Sequence, residues 1–241
     1  MTRRQAATIK RDELVTMERE RKARCANVRV TQPGVIRGFD AMHMICRDGR
    51  FYWLVAADAA VPYRTSIETV DAYDEDSVIA ALTADFEEHG PPLVARLDRA
   101  SCQRTRAVLE RLERYEVLVL HGPPHHPQYY GQLERQNLEH RAWLSSVDSL
   151  TRAGLPEVAA RMKTALNALW ARPTLNWCTA EQVWRARPTI NVDRTQLRRH
   201  VERVATGLEN TGLDPIVAQR RAIESALIER GLLTINFGGH R

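Results

Sequence analysis

Three acidic residues of this chain stand where a carboxylate could do chemistry. Asp40 falls inside an apolar stretch, "RGFDAMHM", and a carboxylate in a half-buried strand is unfavourable unless something pairs with it. Asp98 closes a short apolar run, "VARLDRAS", and ligands of open α/β sheets bind beyond the carboxyl ends of strands. Glu134 sits in the first turn expected for a helix that follows the proline-rich stretch "HGPPHHPQYYG". Brought together, such acids would repel one another by ~4 kcal/mol per pair at 4 Å and an effective dielectric near 20. Divalent cations reverse that sign. Oxygen-only ligands suit Mg²⁺ or Mn²⁺, and a pair of such ions activates water or a hydroxyl in phosphodiester chemistry. Taken singly, each acid has an ordinary explanation: an Asp at a strand end is commonly a turn residue, and a Glu in a first helical turn a dipole partner. Asp58, in "VAADAAVPYR", also ends a strand and is easily mistaken for a ligand.

The elements that must position these acids follow from residue patterning. "VIRGFDAMHM" (35–44), "FYWLVAAD" (51–58) and "YRTSIETV" (63–70) read as three strands, with Asp-Gly at a hairpin turn over 47–49. "DEDSVIAALTADFEEHG" repeats apolar residues every four positions and reads as a helix ending at Gly90. Short buried strands are predicted over 92–98 and 116–120, with a helix over 103–115 between them and another from about Gln132. In the latter, Leu138, Arg141 and Ala142 share the face of Glu134, which predicts that Glu134 points toward the sheet. A further helix starts at Pro156, with Val158, Met162, Ala165, Leu166 and Leu169 as its apolar stripe. Residues 193–231 read as charged and helical, with Gly231 as a cap. The order β-β-β-α-β-α-β-α-α predicts an α/β fold: a mixed five-stranded sheet with flanking helices on both faces and a helical C-terminal extension.

Composition narrows the partners. The chain has 241 residues, 35 Lys+Arg against 30 Asp+Glu and a pI near 9.3, and all but three of its basic residues are arginine. Arginine is the better bidentate phosphate donor, so the balance leans toward nucleic acid, although GC-rich coding DNA favours arginine equally. The four cysteines fit neither a disulfide framework nor a zinc ribbon, which points to a reducing cytoplasm. His121 and His125 have H-x3-H spacing, but no cysteine pair accompanies them. The N-terminus has no signal-peptide core, and no apolar run reaches the ~18 residues of a membrane span.

The spacing of the acids is specific in combination: 57 residues separate Asp40 from Asp98, and 35 separate Asp98 from Glu134. With "HHPQYYGQLERQNLEHRAWL" and "LNALWARPTLNWCTAEQVW", the chain resembles the retroviral integrase and insertion-sequence transposase superfamily over about 35–187. That family carries a D, D-35-E triad on a ribonuclease-H-like fold, a signature of the form h-P-x-x-N-G-x-x-E-R-x-N, and an Asn/Arg-Pro segment before a T-P-x-x motif. Two positions depart from the pattern. Arg99-Ala100 follows the second Asp where the family has Asn-Gly, and Tyr130 stands where Asn precedes the motif glycine.

The resemblance implies a DDE-type polynucleotidyl transferase. Asp40, Asp98 and Glu134 would be both catalytic residues and ligands of two Mg²⁺ or Mn²⁺ ions, performing DNA 3′-end hydrolysis and strand transfer. It implies contacts to DNA from His125, His126, Gln128, Tyr129, Tyr130 and Arg135; Arg198 and Arg199, in the run "RTQLRRHVER", would add phosphate contacts. Expected partners are double-stranded DNA, both element ends and target, and further copies of this chain in a nucleoprotein complex. The expected setting is a bacterial cytoplasm, at the nucleoid and not in a membrane. The expected organisation is a charged segment or linker over 1–34, the catalytic core over 35–187 and the helical extension over 188–241. Family members place a site-specific DNA-binding domain ahead of the core, and 1–34 is too short for one. End recognition would then come from a separate subunit, an upstream segment or the C-terminal extension. Two alternatives stay open: a ribonuclease-H-like nuclease without strand transfer, and a catalytically degenerate relative acting as a DNA-binding regulator or accessory subunit.

Overall fold

The computed structural model describes residues 26–98, 100–122 and 131–237. Its strands are β1 (Ala26–Val30), β2 (Ile36–Cys46), β3 (Gly49–Asp58), β4 (Arg64–Val70), β5 (Val94–Leu97), β6 (Leu118–His121) and β7 (Leu233–Phe237). Its helices are α1 (Glu75–His89), α2 (Arg106–Arg114), α3 (Gly131–Leu144), α4 (Leu155–Thr164), α5 (Ala180–Arg185), α6 (Arg194–Glu209) and α7 (Pro215–Glu229).

The central sheet has the order β4-β3-β2-β5-β6: β4, β3 and β2 form an antiparallel meander, and β5 and β6 run parallel to β2. This is the mixed five-stranded sheet that the element order predicted. The β2–β3 hairpin closes on Arg47 and Asp48, because Gly49 pairs with Cys46. Gly49 therefore sits beside the tip, at φ 150, rather than in it.

Alternation along the strands separates two cores. Phe39, Ala56, Ala95 and Leu97 face one way, onto Val78, Leu82 and Phe86 of α1 and Val108 and Leu112 of α2. Ile36, Ala57, Val94, Leu118 and Leu120 face the other way and pack with Leu133 of α3, Leu197 and Val201 of α6, and Ala222, Ile223 and Leu227 of α7. The C-terminal helices therefore share a core with the sheet. Farther along that face, Met44, Trp53 and Val55 receive Leu155, Ala159, Met162 and Leu166. Leu169 was expected in this stripe but is 75% exposed. A π-helical turn over Ala165–Leu169 rotates it away.

One pairing lies outside the predicted order. β1 and β7 form their own antiparallel ladder, Ala26 opposite Phe237 through Val30 opposite Leu233, which ties the start of the described chain to its end. Among the described residues no helix is long and apolar enough to cross a membrane.

Candidate active site

Strand lengths create the site. β5 ends at Leu97, opposite Phe39, whereas β2 continues to Cys46. Asp40 and Asp98 are the first residues past that last paired position on neighbouring parallel strands. Asp40 is half-buried and Asp98 exposed. The Tyr73 phenol, pushed up chiefly by burial and then by the Cys102 thiol, also feels the Asp98 and Asp40 charges.

Helix α3 brings Glu134 over this edge. Its Leu133 packs directly on Gly38, where an added Cβ would meet Leu133 Cδ1 at 2.5 Å, so the glycine makes room for that side chain on β2. Glu134 follows Leu133 in sequence. One turn later, Asn137 Nδ2 donates to Asp40 Oδ2 at 2.7 Å, and the Ala41 N–H donates to Asp40 Oδ1 at 2.8 Å. Residues 134 and 137 share a helical face, so Glu134 and Asp40 meet the same side of α3. Glu134 Oε1 lies 3.5 Å from Arg96 Nη2, and its side chain keeps 38% of its exposure. Arg96 belongs to β5, pairs in register with Gly38 and precedes Asp98 by two residues.

The expected orientation of α3 needs correction. Its buried stripe is Leu133, Gln136 and His140, while Leu138 is 63% exposed. Glu134 lies on the flank of that stripe, between sheet and solvent. Each polar member of the stripe makes one internal hydrogen bond: Gln136 Nε2 donates to the Asp58 carbonyl at 2.8 Å, and Arg64 Nε donates to His140 Nε2 at 3.0 Å, while Gln136 Oε1 and His140 Nδ1 are buried without a partner.

The distal half of α3 is held by a clamp that residue patterning missed. Glu139 pairs with Arg64 and accepts from Arg172 Nη1 and Nη2 at 2.6 and 2.8 Å. Burial raises the Glu139 pKa, but the hydrogen bonds and charges of Arg172 and Arg64 outweigh it and hold the carboxyl below its ordinary value. Burial lowers Arg64 to about 10 and, helped by the Arg64 charge, lowers His140 to about 3. Asn167 accepts from the Arg64 N–H at 3.0 Å and donates to its carbonyl at 2.8 Å. The Asn-and-Arg-Pro tail is therefore the mate of α3, which was the available clue. Past it, Thr179 and Gln182 form a reciprocal cap on α5, whose Trp184 stacks on Tyr63 at 4.8 Å with Arg37 and Arg187 over its ring.

The remaining candidates divide. Asp58 is fully buried at the opposite end of the sheet and takes the Gly34, Ala60 and Val61 N–H groups at 2.7–2.9 Å, so it builds a turn. Burial lifts its pKa to about 6 against those donors. Arg135 is exposed on α3. Arg198 donates to the Val117 carbonyl at 3.3 Å, at the entry of β6 and away from the acids, with Arg199 exposed beside it. The structure does not bring this arginine run to the triad. His125, His126, Gln128, Tyr129 and Tyr130 lie outside the described residues, as does Arg99.

The donor set at Asp40, Asp98 and Glu134 is all carboxylate oxygen, which fits a hard divalent cation. Among the described residues no three such side chains close into one coordination nest. Asp40 is engaged by Asn137 and Glu134 by Arg96.

No family model and no curated protein matches the sequence. Solved structures do match. The HTLV-2 integrase catalytic core domain in complex with magnesium aligns at TM-score 0.51 and 18% identity, over 65% of this chain and 99% of that one. The simian T-cell lymphotropic virus intasome bound to PP2A regulatory subunit B56 gamma aligns at 0.54 and 15%, over 68% and 60%. The BIV integrase catalytic core aligns at 0.50 and 13%, over 63% and 93%. At such identities the likeness lies in the fold. The chain has the ribonuclease-H-like fold of retroviral integrase catalytic cores, in keeping with the integrase and transposase superfamily that its acidic residues and its Pro-Gly-Glu signature resemble.

Proposed function

We propose that this chain is the catalytic domain of a DNA transposase or integrase, a DDE-type polynucleotidyl transferase that frees a 3′-OH at a DNA end and joins it to target DNA. The observation that supports the reading is that Asp40 and Asp98 lie just past the last paired residues of β2 and β5, with Glu134 in the first turn of α3 beside Arg96 of β5, on an integrase-core fold. Asp40 and Asp98 would hold one divalent ion, and Asp40 and Glu134 a second. When bound, the ions would supply Lewis acidity at the entering and leaving oxygens of a phosphodiester.

The chain's own residues prepare that place. Asn137 and the Ala41 N–H fix the Asp40 carboxylate, and the Gly38–Leu133 contact sets the height of α3 above β2. Arg135, exposed one residue past Glu134, is available to backbone phosphate. In joining, the 3′-hydroxyl attacks a target phosphorus in line and the displaced strand leaves with its own 3′-hydroxyl. No protein nucleophile is required. By analogy with intasomes, the working form would be a homo-oligomer on DNA, with a separate DNA-binding subunit or an additional segment recognising the element ends.

A second reading, a DNA-binding regulator without catalysis, draws support from the Arg96–Glu134 ion pair and from Arg99-Ala100. One experiment separates the two. With pre-cut 3′-OH duplex ends and Mg²⁺, wild type should join strands. Glu134→Gln and Asp40→Asn should lose roughly 10³-fold or more while DNA binding and Tm stay near wild type. Wild type that binds DNA but never joins, with Glu134→Gln indistinguishable from it, would leave the regulator. Cleavage without joining would leave the plain nuclease.

A further inference from the structure

We propose that Tyr73 is a positioning residue of the acidic edge, its hydroxyl being the hydrogen-bond donor that orients the Asp98 carboxylate for phosphoryl transfer. The inference rests on the function proposed above and adds a residue to the same site.

The surroundings of Tyr73 fix its ring. It stands three residues past Val70, the last residue of β4, and directly before Asp74, whose carboxylate caps α1 by accepting from the Ser77 N–H at 2.9 Å. Its ring lies against that of Tyr52, with centroids 5.9 Å apart, and Tyr52 pairs in register with Val70. The same ring packs on the core that holds Phe39 and Leu97, the residues immediately before Asp40 and Asp98. A side chain held by a strand end, a helix cap and an aromatic neighbour keeps its oxygen where the fold puts it.

That oxygen is poorly partnered. It is shut away from solvent and makes no hydrogen bond of ordinary geometry to nitrogen or oxygen. The group beside it is the Cys102 thiol, a weak acceptor. A buried hydroxyl without a good partner costs stability, and such a group calls for a reason. The acids supply one. Asp98 is the first residue beyond the paired part of β5, with its side chain at the surface, and its charge reaches the phenol together with that of Asp40. Both oxygens of Asp40 already accept, from Asn137 and from the Ala41 N–H. The Tyr73 donor therefore serves Asp98, from the α1 side of the sheet, as Asn137 serves Asp40 from α3. A carboxylate that acts on a phosphodiester must present one oxygen in a defined direction, and a hydrogen bond to its other oxygen sets that direction.

The test is Tyr73→Phe in the full chain, which removes one oxygen and keeps the ring. Joining of pre-cut 3′-OH duplex ends and urea unfolding are measured in parallel. The joining kcat should fall about 10- to 100-fold, the effect of one hydrogen bond to a charged group, with KM for DNA within about twofold of wild type. The urea midpoint should stay level or rise, because a buried, poorly partnered hydroxyl has been removed. Activity lost without stability lost marks a group held for function. Cys102→Ala removes the thiol and leaves the hydroxyl, and should join within about twofold of wild type. Tyr73→Phe joining as wild type does would overturn the inference. So would a midpoint that falls in step with activity, which means packing alone, or a raised KM at unchanged kcat, which means that the hydroxyl touches DNA. Cys102→Ala as damaging as Tyr73→Phe would overturn it as well, by assigning the effect to the phenol–thiol contact. A wild type that binds DNA but never joins removes the proposed function and the inference with it, whereas a joining wild type beside an equally active Tyr73→Phe removes the inference alone.

Discussion

Mild acid should destabilise this protein through one buried imidazole. His140 is fully buried on α3 and accepts from Arg64 Nε at 3.0 Å, so its Nε2 lone pair is committed and the proton of the neutral ring resides on Nδ1. Protonating Nε2 would break that bond and set a second cation against Arg64 inside the core. Burial first, then the Arg64 charge, lowers the pKa to about 3, against the partial support of Glu139. A base whose folded pKa is depressed stays neutral in the folded state while the unfolded chain, near pKa 6.5, takes up a proton. Stability therefore falls with pH from about 6.5 toward about 3. Between pH 7 and pH 5 the linkage relation gives a loss of about 2 kcal/mol from this group, a figure that barely changes so long as the folded pKa stays well under 5. Asp58 works the other way: with its pKa raised to about 6 it binds a proton in the folded state first, and adds about 1 kcal/mol over the same acidification. The sign test is thus a comparison of two proteins. His140→Gln offers a carbonyl to Arg64 and cannot titrate. Urea midpoints of wild type and His140→Gln at pH 7 and pH 5, with equal m values, should show the wild type losing about 2 kcal/mol more than the variant. Parallel behaviour within about 0.5 kcal/mol would mean that the ring is charged or reached by water, and would refute the reasoning.

Three further outcomes follow from the same contacts. Glu139→Gln strands two buried arginines and should cost about 3–5 kcal/mol in urea unfolding, far more than a surface glutamate. Gly38→Ala drives a methyl into Leu133 and should cost about 1–3 kcal/mol, with Leu133→Ala in a double-mutant cycle recovering about 1 kcal/mol or more of it. Trp177 holds φ at 64 while 72% exposed, so Trp177→Gly should relieve left-handed strain without losing much burial and stabilise by about 1 kcal/mol, read as a raised Tm.

Elements with a local signal were legible in the sequence, and elements whose logic is remote were not. The meander announced itself through aromatic and β-branched alternation, and α1 through its Asp74 cap and four-residue repeat, with Asp74 accepting from the Ser77 N–H as a cap should. The β1–β7 ladder joins segments about 200 positions apart, and although ANVRV and LTINF each alternate apolar and polar residues, the alternation runs for only five positions. The face of α3 was misjudged because its buried stripe is polar at two of three positions. Apolar periodicity cannot find Gln136 and His140, whose burial depends on the Asp58 carbonyl and the Arg64 guanidinium elsewhere in the chain. The same holds for the clamp. Arg64, Glu139 and Arg172 look like solvated surface until the fold closes around them, and only the motif resemblance of the Arg-Pro tail marked the last of the three.

These blind spots bear on the site itself. If Glu134 shares cations with Asp40 and Asp98 as proposed, it must lie near them yet be held apart while no cation is bound, since the bare acids repel. Helix α3 meets both demands by anchoring at its middle and far end, through Gln136, Glu139 and His140, while its first turn touches the sheet through Leu133. The tight, buried polar contacts of α3 lie in its middle and far half, and Glu134, in the first turn, makes a longer and more exposed ion pair. The acid was conspicuous in the sequence because its spacing matched a family pattern. The anchors that give it a defined place were not, because each is a charged or polar side chain whose purpose exists only in the folded molecule.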